Sequence, residues 1–267
     1  MLQNFLFPVH PGKSPTQKLL AMAQFAGLFK AEKIYLLLVT SPNNSKQIKW
    51  LKELEQELLE LGLPVERLHR HGHIPSQITA AARTTTSIIC FFKKWKNPLQ
   101  KALAGSIVSD VIRMSDEPVL IYKKRRTQAD EKLLANVMYA TSFRQAHGVC
   151  VNFIKHPAFQ AKRLILLHVG RRAPDPEAEG KRLEQIKINL EQLARDCQDG
   201  FATIEKKEVV GLGVARKILR QARTSNIDLL IIGKVDTGGL LSSFTGSTAE
   251  AIYNSAPCSV LVIPGGR

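Results

Sequence analysis

The sequence predicts an α/β fold in two similar domains, each built on a parallel sheet. Short apolar runs alternate with segments of helical spacing, which is the pattern that crossover connections between parallel strands produce. The second half of the chain also repeats the first. Ala82-Arg83-Thr84 returns as Ala222-Arg223-Thr224, and each triplet is followed by an apolar run, at 88–91 and 229–232. A repeat period near half of the 267 residues favours two copies of one domain over a solenoid.

The first half contains signals for five strands and four helices. Residues 14–29 have apolar side chains at helical spacing, and 45–61 form a charged amphipathic segment closed by Gly62 near its C-cap. Residues 75–84 and 105–114 complete the predicted helices. The predicted strands are 4–9, 33–39, 65–70, 86–92 and 119–123.

The second half follows the same order. Its predicted strands are 136–141, 163–169, 202–209, 228–232 and 259–263, and its predicted helices are 144–154, 176–198, 213–223 and 247–255. Residues 124–132 are polar and charged, and Ala129 is their one apolar residue. Such a composition is typical of a linker. We therefore divide the chain into domain 1 (1–123), a linker (124–132) and domain 2 (133–267).

Composition sets the class of protein and the compartment that we expect. The 44% hydrophobic and 23% charged residues are ordinary for a soluble protein, and no apolar run approaches the roughly 18 residues that span a bilayer. The N-terminus has no basic segment before its short apolar run, so we expect no signal peptide and no membrane partner. The four cysteines are scattered without a Cys-x-x-Cys pair, which favours buried free thiols and a cytoplasmic protein.

The net charge of +15 raises the question of nucleic-acid binding. Lys/Arg clusters at 93–96 and 123–126 could contact phosphate backbones without regard to sequence. No helix-turn-helix, RNA-binding aromatic pair or zinc-finger spacing accompanies them. A solvated basic surface is therefore the better interpretation, and we do not expect specific nucleic-acid binding.

A glycine-rich connection in the second half has the features of an anion site. The apolar run 229–232 leads into Gly233 and a loop of small polar residues, and Gly246-Ser247-Thr248 then opens a segment of helical spacing. Glycines let backbone N–H groups approach an anion, and the unpaired N–H groups of the first helical turn complement its charge. A flexible turn with a Ser/Thr helix cap is the plainer alternative.

This connection resembles the C-terminal signature of the universal stress protein family, Gly-x2-Gly-x9-Gly-(Ser/Thr), which wraps the phosphates of an adenine nucleotide. Gly233, Gly246 and Ser247 stand at the matching offsets, but Asp236 replaces the second glycine. With the internal repeat, the chain resembles a tandem universal stress protein. The resemblance implies two Rossmann-like domains with five-stranded parallel sheets of order 3-2-1-4-5 and helices on both faces, paired as a pseudo-dimer.

The resemblance also implies which residues form the pocket in domain 2, at the tips of strands one, two and four. Family members usually end strand one with an Asp, where this chain has Ser142 in domain 2 and His10 in domain 1. In domain 1, Phe92 and Trp95 replace the first two motif glycines, so we expect that pocket to bind no ATP. The predicted nucleotide-binding residues are Thr141, Ser142, Val169, Gly233, Lys234, Gly246, Ser247 and Thr248.

Two functions remain open from the sequence. The first is a stress-response ligand sensor that binds ATP, AMP or a related adenine nucleotide in domain 2, with Mg²⁺ as a companion of ATP and without substantial catalysis. The second is a protein-interaction scaffold in which both pockets are vestigial. We predict no catalytic or metal-ligating residue, since no Ser-His-Asp order or His-Glu-x-x-His is present. Slow ATP hydrolysis is left open.

Four histidines near the ends of predicted strands are considered as metal ligands or as catalytic bases. His69, His71 and His73 alternate along one strand face, a spacing that a metal could use, but polar strand-end residues are the better interpretation. His168 is expected to be a hydrogen-bonded core residue.

The resemblance implies that the two halves pair through their fifth strands, 119–122 and 260–263, with a homodimer and a protein partner as further options.

Overall fold

The computed structural model describes residues 4–9, 16–40, 49–92, 107–123, 134–144, 146–234 and 247–265. The chain divides into two compact units, Met1–Lys124 and Arg125–Arg267. Their boundary falls where the linker was predicted, and residues 124–132 themselves lie outside the described residues. Each unit is an α/β domain with a parallel sheet, as the alternating pattern predicted.

Unit 1 has five parallel strands in the order β3-β2-β1-β4-β5. Each predicted strand and helix is present. The predicted beginnings of the helices at 14–29, 45–61 and 105–114 lie outside the described residues, and the other ends differ by one or two residues at most. The elements are β1 (Asn4–Val9), α1 (Thr16–Gly27), β2 (Lys33–Thr40), α2 (Lys49–Glu60), β3 (Val65–His71), α3 (Ile74–Thr85), β4 (Ser87–Phe92), α4 (107–114) and β5 (Val119–Tyr122).

Unit 2 has the same arrangement, with the order β8-β7-β6-β9-β10. Relative to its own strands, this is again 3-2-1-4-5, which confirms the predicted topology within each unit. The elements are β6 (Leu134–Thr141), α5 (His147–Ile154), β7 (Ala161–Gly170), α6 (Pro176–Asp196), β8 (Phe201–Val210), α7 (Val214–Thr224), β9 (Leu229–Gly233), α8 (Ser247–Ser255) and β10 (Ser259–Ile263).

The predicted start of β6 was two residues too late, and a long-range contact explains why. The Asp228 side chain, only 9% exposed, accepts hydrogen bonds from the backbone N–H groups of Ala135 and Asn136, both at 3.0 Å. The carboxylate thereby satisfies two backbone donors at the beginning of the strand and extends it to Leu134. Since Asp228 lies more than 90 residues away along the chain, no local pattern could indicate this.

Strand registers pair corresponding positions in the two units. Asn4 pairs with Lys33 in β2, and Asn136 pairs with Arg163 in β7. Phe5 pairs with Ile88, and Val137 with Leu229, so these pairs place Phe92 of unit 1 and Gly233 of unit 2 at equivalent positions. The ion pairs Lys33–Glu66 (3.2 Å) and Arg163–Glu205 (2.9 Å) also recur.

The core consists of the apolar faces of the strands and of the helices packed on them. All four cysteines are buried and free, as the scattered positions predicted. Burial raises the pKa of the Cys150 and Cys197 thiols to about 12, so both stay protonated near neutral pH. Within the described ranges, no helix combines the length and the apolar character needed to cross a membrane.

Candidate functional site

A cavity of about 260 Å³ lies in unit 2 at the carboxyl ends of its central strands. β6 lies between β7 and β9, and the connections from β6 and from β9 leave on opposite sides of this point. Such a reversal of strand order opens a crevice that α/β sheets use to bind ligands. The cavity is lined by Tyr139, Ala140, Thr141, Ser142, Phe143, Arg144, Ala146, His147, Leu167, Val169, Val214, Ile218, Ile232, Gly233, Thr248, Ala249 and Ile252.

The structure brings together most of the residues that the sequence predicted for this site. Those lining the cavity are Thr141, Ser142, Val169, Gly233 and Thr248. Lys234 follows β9, and its backbone N–H donates to the carbonyl oxygen of Ile263 at 2.7 Å, but it does not line the cavity. Ser247 is the first residue of α8. Gly246 lies outside the described residues.

Gly233 is required by a close approach of α5. A Cβ atom placed on Gly233 would lie 2.6 Å from the Cβ of Ala146 and 3.6 Å from the Sγ of Cys150. Carbon atoms normally rest about 3.5–4.0 Å apart. A glycine at this position therefore lets the start of α5 pack directly onto the end of β9, which brings the two elements together at the floor of the cavity.

Unit 1 places an aromatic side chain at the equivalent position. The ring of Phe92 packs 5.9 Å from that of Tyr122, and the Nζ of Lys18 lies 5.3 Å from the centroid of Phe92. Tyr122 in turn packs against Phe25 of α1 at 5.1 Å. The position at which Gly233 lets α5 approach β9 in unit 2 thus carries an aromatic side chain in unit 1. Trp95, the other replaced glycine, lies outside the described residues.

His147 is a polar residue of the cavity that the sequence reasoning missed. Its Nδ1 lies 3.1 Å from the Tyr139 hydroxyl and 3.2 Å from the Thr141 hydroxyl. Burial raises the pKa of Tyr139 and lowers the pKa of His147, so both are neutral at pH 7 and the phenol can donate to Nδ1. The proton of the imidazole then resides on Nε2, which is left as a donor.

Phe143 forms an aromatic wall of the cavity in a conformation that L-residues rarely adopt. Its φ is 55°, and its backbone N–H donates to the Thr141 hydroxyl at 3.0 Å, which holds the turn. The Phe143 ring stacks on His168 with centroids 5.4 Å apart and meets the edge of His147 at 5.2 Å. A left-handed residue between two imidazoles is a feature that no linear motif reveals.

His168 has a hydrogen-bond partner, as predicted, but it is half-buried and is not a core residue. Its Nδ1 donates to the backbone carbonyl of Thr141 at 3.0 Å, across the β6–β7 pair. The ring is half-buried, and burial is the main cause that lowers its pKa. His168 therefore stays neutral at pH 7, and its ring packs against that of Phe143.

The described residues that line the cavity bring no negative charge. None of them has a carboxylate, and Arg144 is an exposed basic residue among them. The part of the chain that the structure describes contains no group of three His, Cys, Asp or Glu side chains that could hold a metal ion. A cavity of this kind suits a ligand that is aromatic at one end and anionic at the other.

The histidine triplet of unit 1 makes polar strand-end contacts. The Thr40 hydroxyl lies 2.8 Å from His69 Nε2 and 3.2 Å from His71 Nδ1. His73 instead contacts the Ser76 hydroxyl at 2.9 Å, next to the beginning of α3. The third histidine thus leaves the face that the first two share, in line with the polar interpretation of these residues.

Comparison with known proteins then decides the family of the second half. Residues 136–264 match the model of the Universal stress protein family. This part of the chain is a universal stress protein domain. The match does not extend into unit 1. No curated protein matches the sequence significantly.

Solved structures resemble the chain over nearly its whole length. A candidate universal stress protein from Pseudomonas aeruginosa UCBPP-PA14 aligns with a TM-score of 0.73 at 19% identity, covering 98% of this chain and 93% of that one. A universal stress protein from Archaeoglobus fulgidus DSM 4304 aligns with a TM-score of 0.66 at 20% identity, covering 99% and 98%. At such identities the likeness establishes the fold, and the cavity of the universal stress protein domain must be judged on its own residues.

Proposed function

We propose that unit 2 is a ligand-sensing universal stress protein domain that binds an adenine nucleotide in the cavity at the ends of β6, β7 and β9. The observation that carries the proposal is the convergence of Thr141, Ser142, Val169, Gly233 and Thr248 on one crevice, whose described lining contains no carboxylate. The neutral His147 adds a directional donor, and the Phe143 ring adds an aromatic surface for a base.

The size of the cavity suggests how a nucleotide would be placed. Small-molecule pockets commonly measure about 300–1,000 Å³, and this one is smaller at about 260 Å³. The base and ribose would therefore occupy the cavity, while the phosphates would extend beside Thr248 at the beginning of α8. The N-terminus of a helix favours negative charge at that point.

Charge supports an anionic ligand and argues against rapid catalysis. Arg144 can attract phosphates, while Ser142 supplies hydrogen bonds but no charge for a metal ion. If Mg²⁺ takes part, it would arrive with the phosphates. Phosphoryl transfer also requires a positioned metal and an oriented nucleophile, so we expect ATP turnover far below the usual range of about 1–1,000 s⁻¹. A steady-state assay showing robust magnesium-dependent hydrolysis by the pure protein would overturn this point.

We propose further that unit 1 is a second copy of the same domain whose pocket has been filled. The equivalent registers and the recurring ion pair support the duplication. The Phe92 ring, packed on Tyr122 beneath Lys18, supports the loss of a pocket there. One nucleotide per chain is the expected stoichiometry. Pairing of the two halves through their fifth strands stays a prediction.

Calorimetric titration of the full chain with ATP and, separately, with adenosine tests the proposal. We expect one site per chain for both ligands. Arg144→Glu should weaken ATP binding at least tenfold and adenosine binding less than twofold, because only ATP carries phosphates that the guanidinium can attract. Arg195→Glu, an equal charge change on the exposed end of α6, is the matched control and should leave both affinities unchanged.

Three results would contradict the proposal. They are two equivalent sites per chain, an Arg144→Glu effect that is the same for ATP and adenosine, and no binding of either ligand. The last result would favour the scaffold function, for which Phe143 is the relevant observation. Its ring lines the cavity and packs against two histidines. In a scaffold protein, this ring would occupy part of the space that a ligand would otherwise take.

A further inference from the structure

An open groove of about 740 Å³ runs between α7 and α8 on the surface of unit 2. Three arginines of α7 line it, Arg216, Arg220 and Arg223, and all three are exposed. Their spacing of four and three residues places them on one face of the helix. They extend over about 10 Å, at 1.5 Å of rise per residue. No ion pair joins any of them to a carboxylate among the described residues.

The repeat in unit 1 provides an internal comparison for this groove. Aligning the triplet Ala82-Arg83-Thr84 with Ala222-Arg223-Thr224 places Ser76 and Ala80 of α3 at the positions of Arg216 and Arg220. Arg83 corresponds to Arg223 and pairs with Asp116 at 2.6 Å. Unit 2 has Pro257 in place of that aspartate. The same fold thus pairs this arginine with an aspartate in unit 1, while the three guanidinium groups of unit 2 have no carboxylate partner within the described part of the chain.

Apolar side chains accompany the arginines. Val214, Ala215 and Leu219 of α7 and Ala251 of α8 line the groove. Leu212, in the loop immediately before α7, is 76% exposed. Among the described residues, no other large apolar side chain is as exposed. Exposed apolar surface next to concentrated charge of one sign is typical of an interaction site rather than of a simply solvated helix.

We propose that the α7/α8 groove binds an acidic amphipathic helix of a partner protein. A valley between two packed helices accepts a third helix, whose apolar residues would contact Leu219 and Ala251. Glutamates on the same face of that helix, three and four residues apart, would meet Arg216, Arg220 and Arg223. Arginine–carboxylate pairs of this kind are charge-assisted and directional. Val214 and Thr248 line both this groove and the cavity at the strand ends, but the proposed helix site does not require a ligand in the cavity.

Two other occupants are less favoured by the same observations. A nucleic acid would use the guanidinium groups, but its phosphates would leave the apolar floor of Val214, Leu219 and Ala251 without a partner. A second copy of the chain carries the same net charge of +15, so the general field of two copies opposes their association. An acidic helix matches both the charge and the apolar part of the groove.

The test uses the full chain and a defined probe. The probe is a fluorescent synthetic helix of about 15 residues, with Glu at i, i+4 and i+7 and Leu at the adjoining positions. Fluorescence anisotropy at low and physiological salt measures its binding. Two control probes are a scrambled peptide of the same composition and a poly-uridine RNA of equal net charge. Both controls should bind at least tenfold more weakly than the amphipathic probe.

Variants separate the charge from the apolar contribution. Arg216→Glu combined with Arg220→Glu should weaken probe binding at least tenfold. Lys181→Glu combined with Arg195→Glu makes the same charge change on exposed positions of α6 and should alter it less than twofold. Ala251→Trp fills the groove at constant charge and should also weaken binding at least tenfold. Far-UV circular dichroism confirms that each variant is folded.

The proposal is overturned if the scrambled peptide or the RNA binds as tightly as the amphipathic probe. It is also overturned if the α6 control variant loses as much affinity as the α7 variant, since that would indicate attraction to net charge alone. An unchanged affinity in Ala251→Trp, or no binding of the probe to the wild-type chain, has the same consequence.

Discussion

The contact between Gly233 and Ala146 yields a prediction whose size can be worked out from the structure. Gly233→Ala would place two Cβ atoms 2.6 Å apart, about 1 Å closer than carbon atoms normally rest. The φ of Gly233 is not in the left-handed region, so backbone strain adds nothing to this change. The effect should be entirely steric.

The strand cannot easily move away from this contact. β9 is hydrogen-bonded to β6 on one side and to β10 on the other, so the start of α5 must shift instead. Overpacking of a well-packed core costs about 1–3 kcal/mol. A middle value of about 2 kcal/mol lowers the folded-to-unfolded ratio of unit 2 roughly 30-fold and its Tm by roughly 4–8 °C.

The compensating variant is Ala146→Gly, which removes the methyl group that Gly233→Ala would strike. Ala146 is the N-cap residue of α5, a position where glycine is at least as well tolerated as alanine. We expect the double variant to be within about 1 kcal/mol of Ala146→Gly alone, which corresponds to a coupling energy in the range of neighbouring residues.

Urea unfolding followed by circular dichroism measures these stabilities. Both tryptophans, Trp50 and Trp95, belong to the first half of the chain, so tryptophan fluorescence reports on unit 1 and serves as an internal control. The reasoning fails if Gly233→Ala unfolds at the wild-type urea concentration. It fails equally if the double variant is as unstable as the sum of the two single ones.

The remaining predictions concern buried polar groups of unit 2. Burial lowers the folded-state pKa of His147 and His168, so the unfolded chain binds more protons near its pKa of about 6.5 and stability should fall as the pH drops below that value. The variant His147→Gln/His168→Gln should flatten this loss in urea titrations between pH 8 and 5, and a pH profile identical to wild type would refute the assignment. Asp228→Ala leaves the amides of Ala135 and Asn136 without their acceptor and should cost about 2–4 kcal/mol, measured by the same unfolding assay. Asp228→Asn keeps an acceptor and should cost less, so equal losses in the two variants would contradict this role.

Much of the fold could be predicted from the sequence because it depends on local patterns that occur twice. Apolar runs separated by amphipathic segments define the strands and helices, and the repeated triplet before 88–91 and 229–232 predicts two units of one strand order. Five of the eight predicted site residues line one cavity, because most of them lie at the ends of neighbouring parallel strands. The carboxyl ends of neighbouring parallel strands always lie at the same edge of a sheet.

The interior of the site could not be predicted, since it depends on contacts between distant elements. Gly233 was interpreted as a position that lets a ligand approach the backbone, whereas its close neighbour is Ala146 of α5. Phe143 and His147 follow the predicted strand by only a few residues. Their role nevertheless arises from the left-handed turn at Phe143 and from hydrogen bonds to Tyr139 and Thr141.

The arginines of α7 illustrate the same limit for surface function. In the sequence, Arg216, Arg220 and Arg223 contribute to a basic charge that is spread over both halves. Only the packing of α8 beside α7 turns them into one wall of a groove. The loss of an acidic partner becomes visible only when Pro257 is aligned with Asp116 through the strand registers.

Val214 and Thr248 each belong to two walls, because they line both the cavity at the strand ends and the groove between α7 and α8. A molecule that reorients either side chain on one side changes the surface offered on the other. Thermodynamic linkage then makes the effect mutual: whatever factor a small ligand imposes on a bound helix, the helix imposes on the small ligand. If both proposed ligands bind, their coupling needs no large rearrangement, since the two sites share these two side chains.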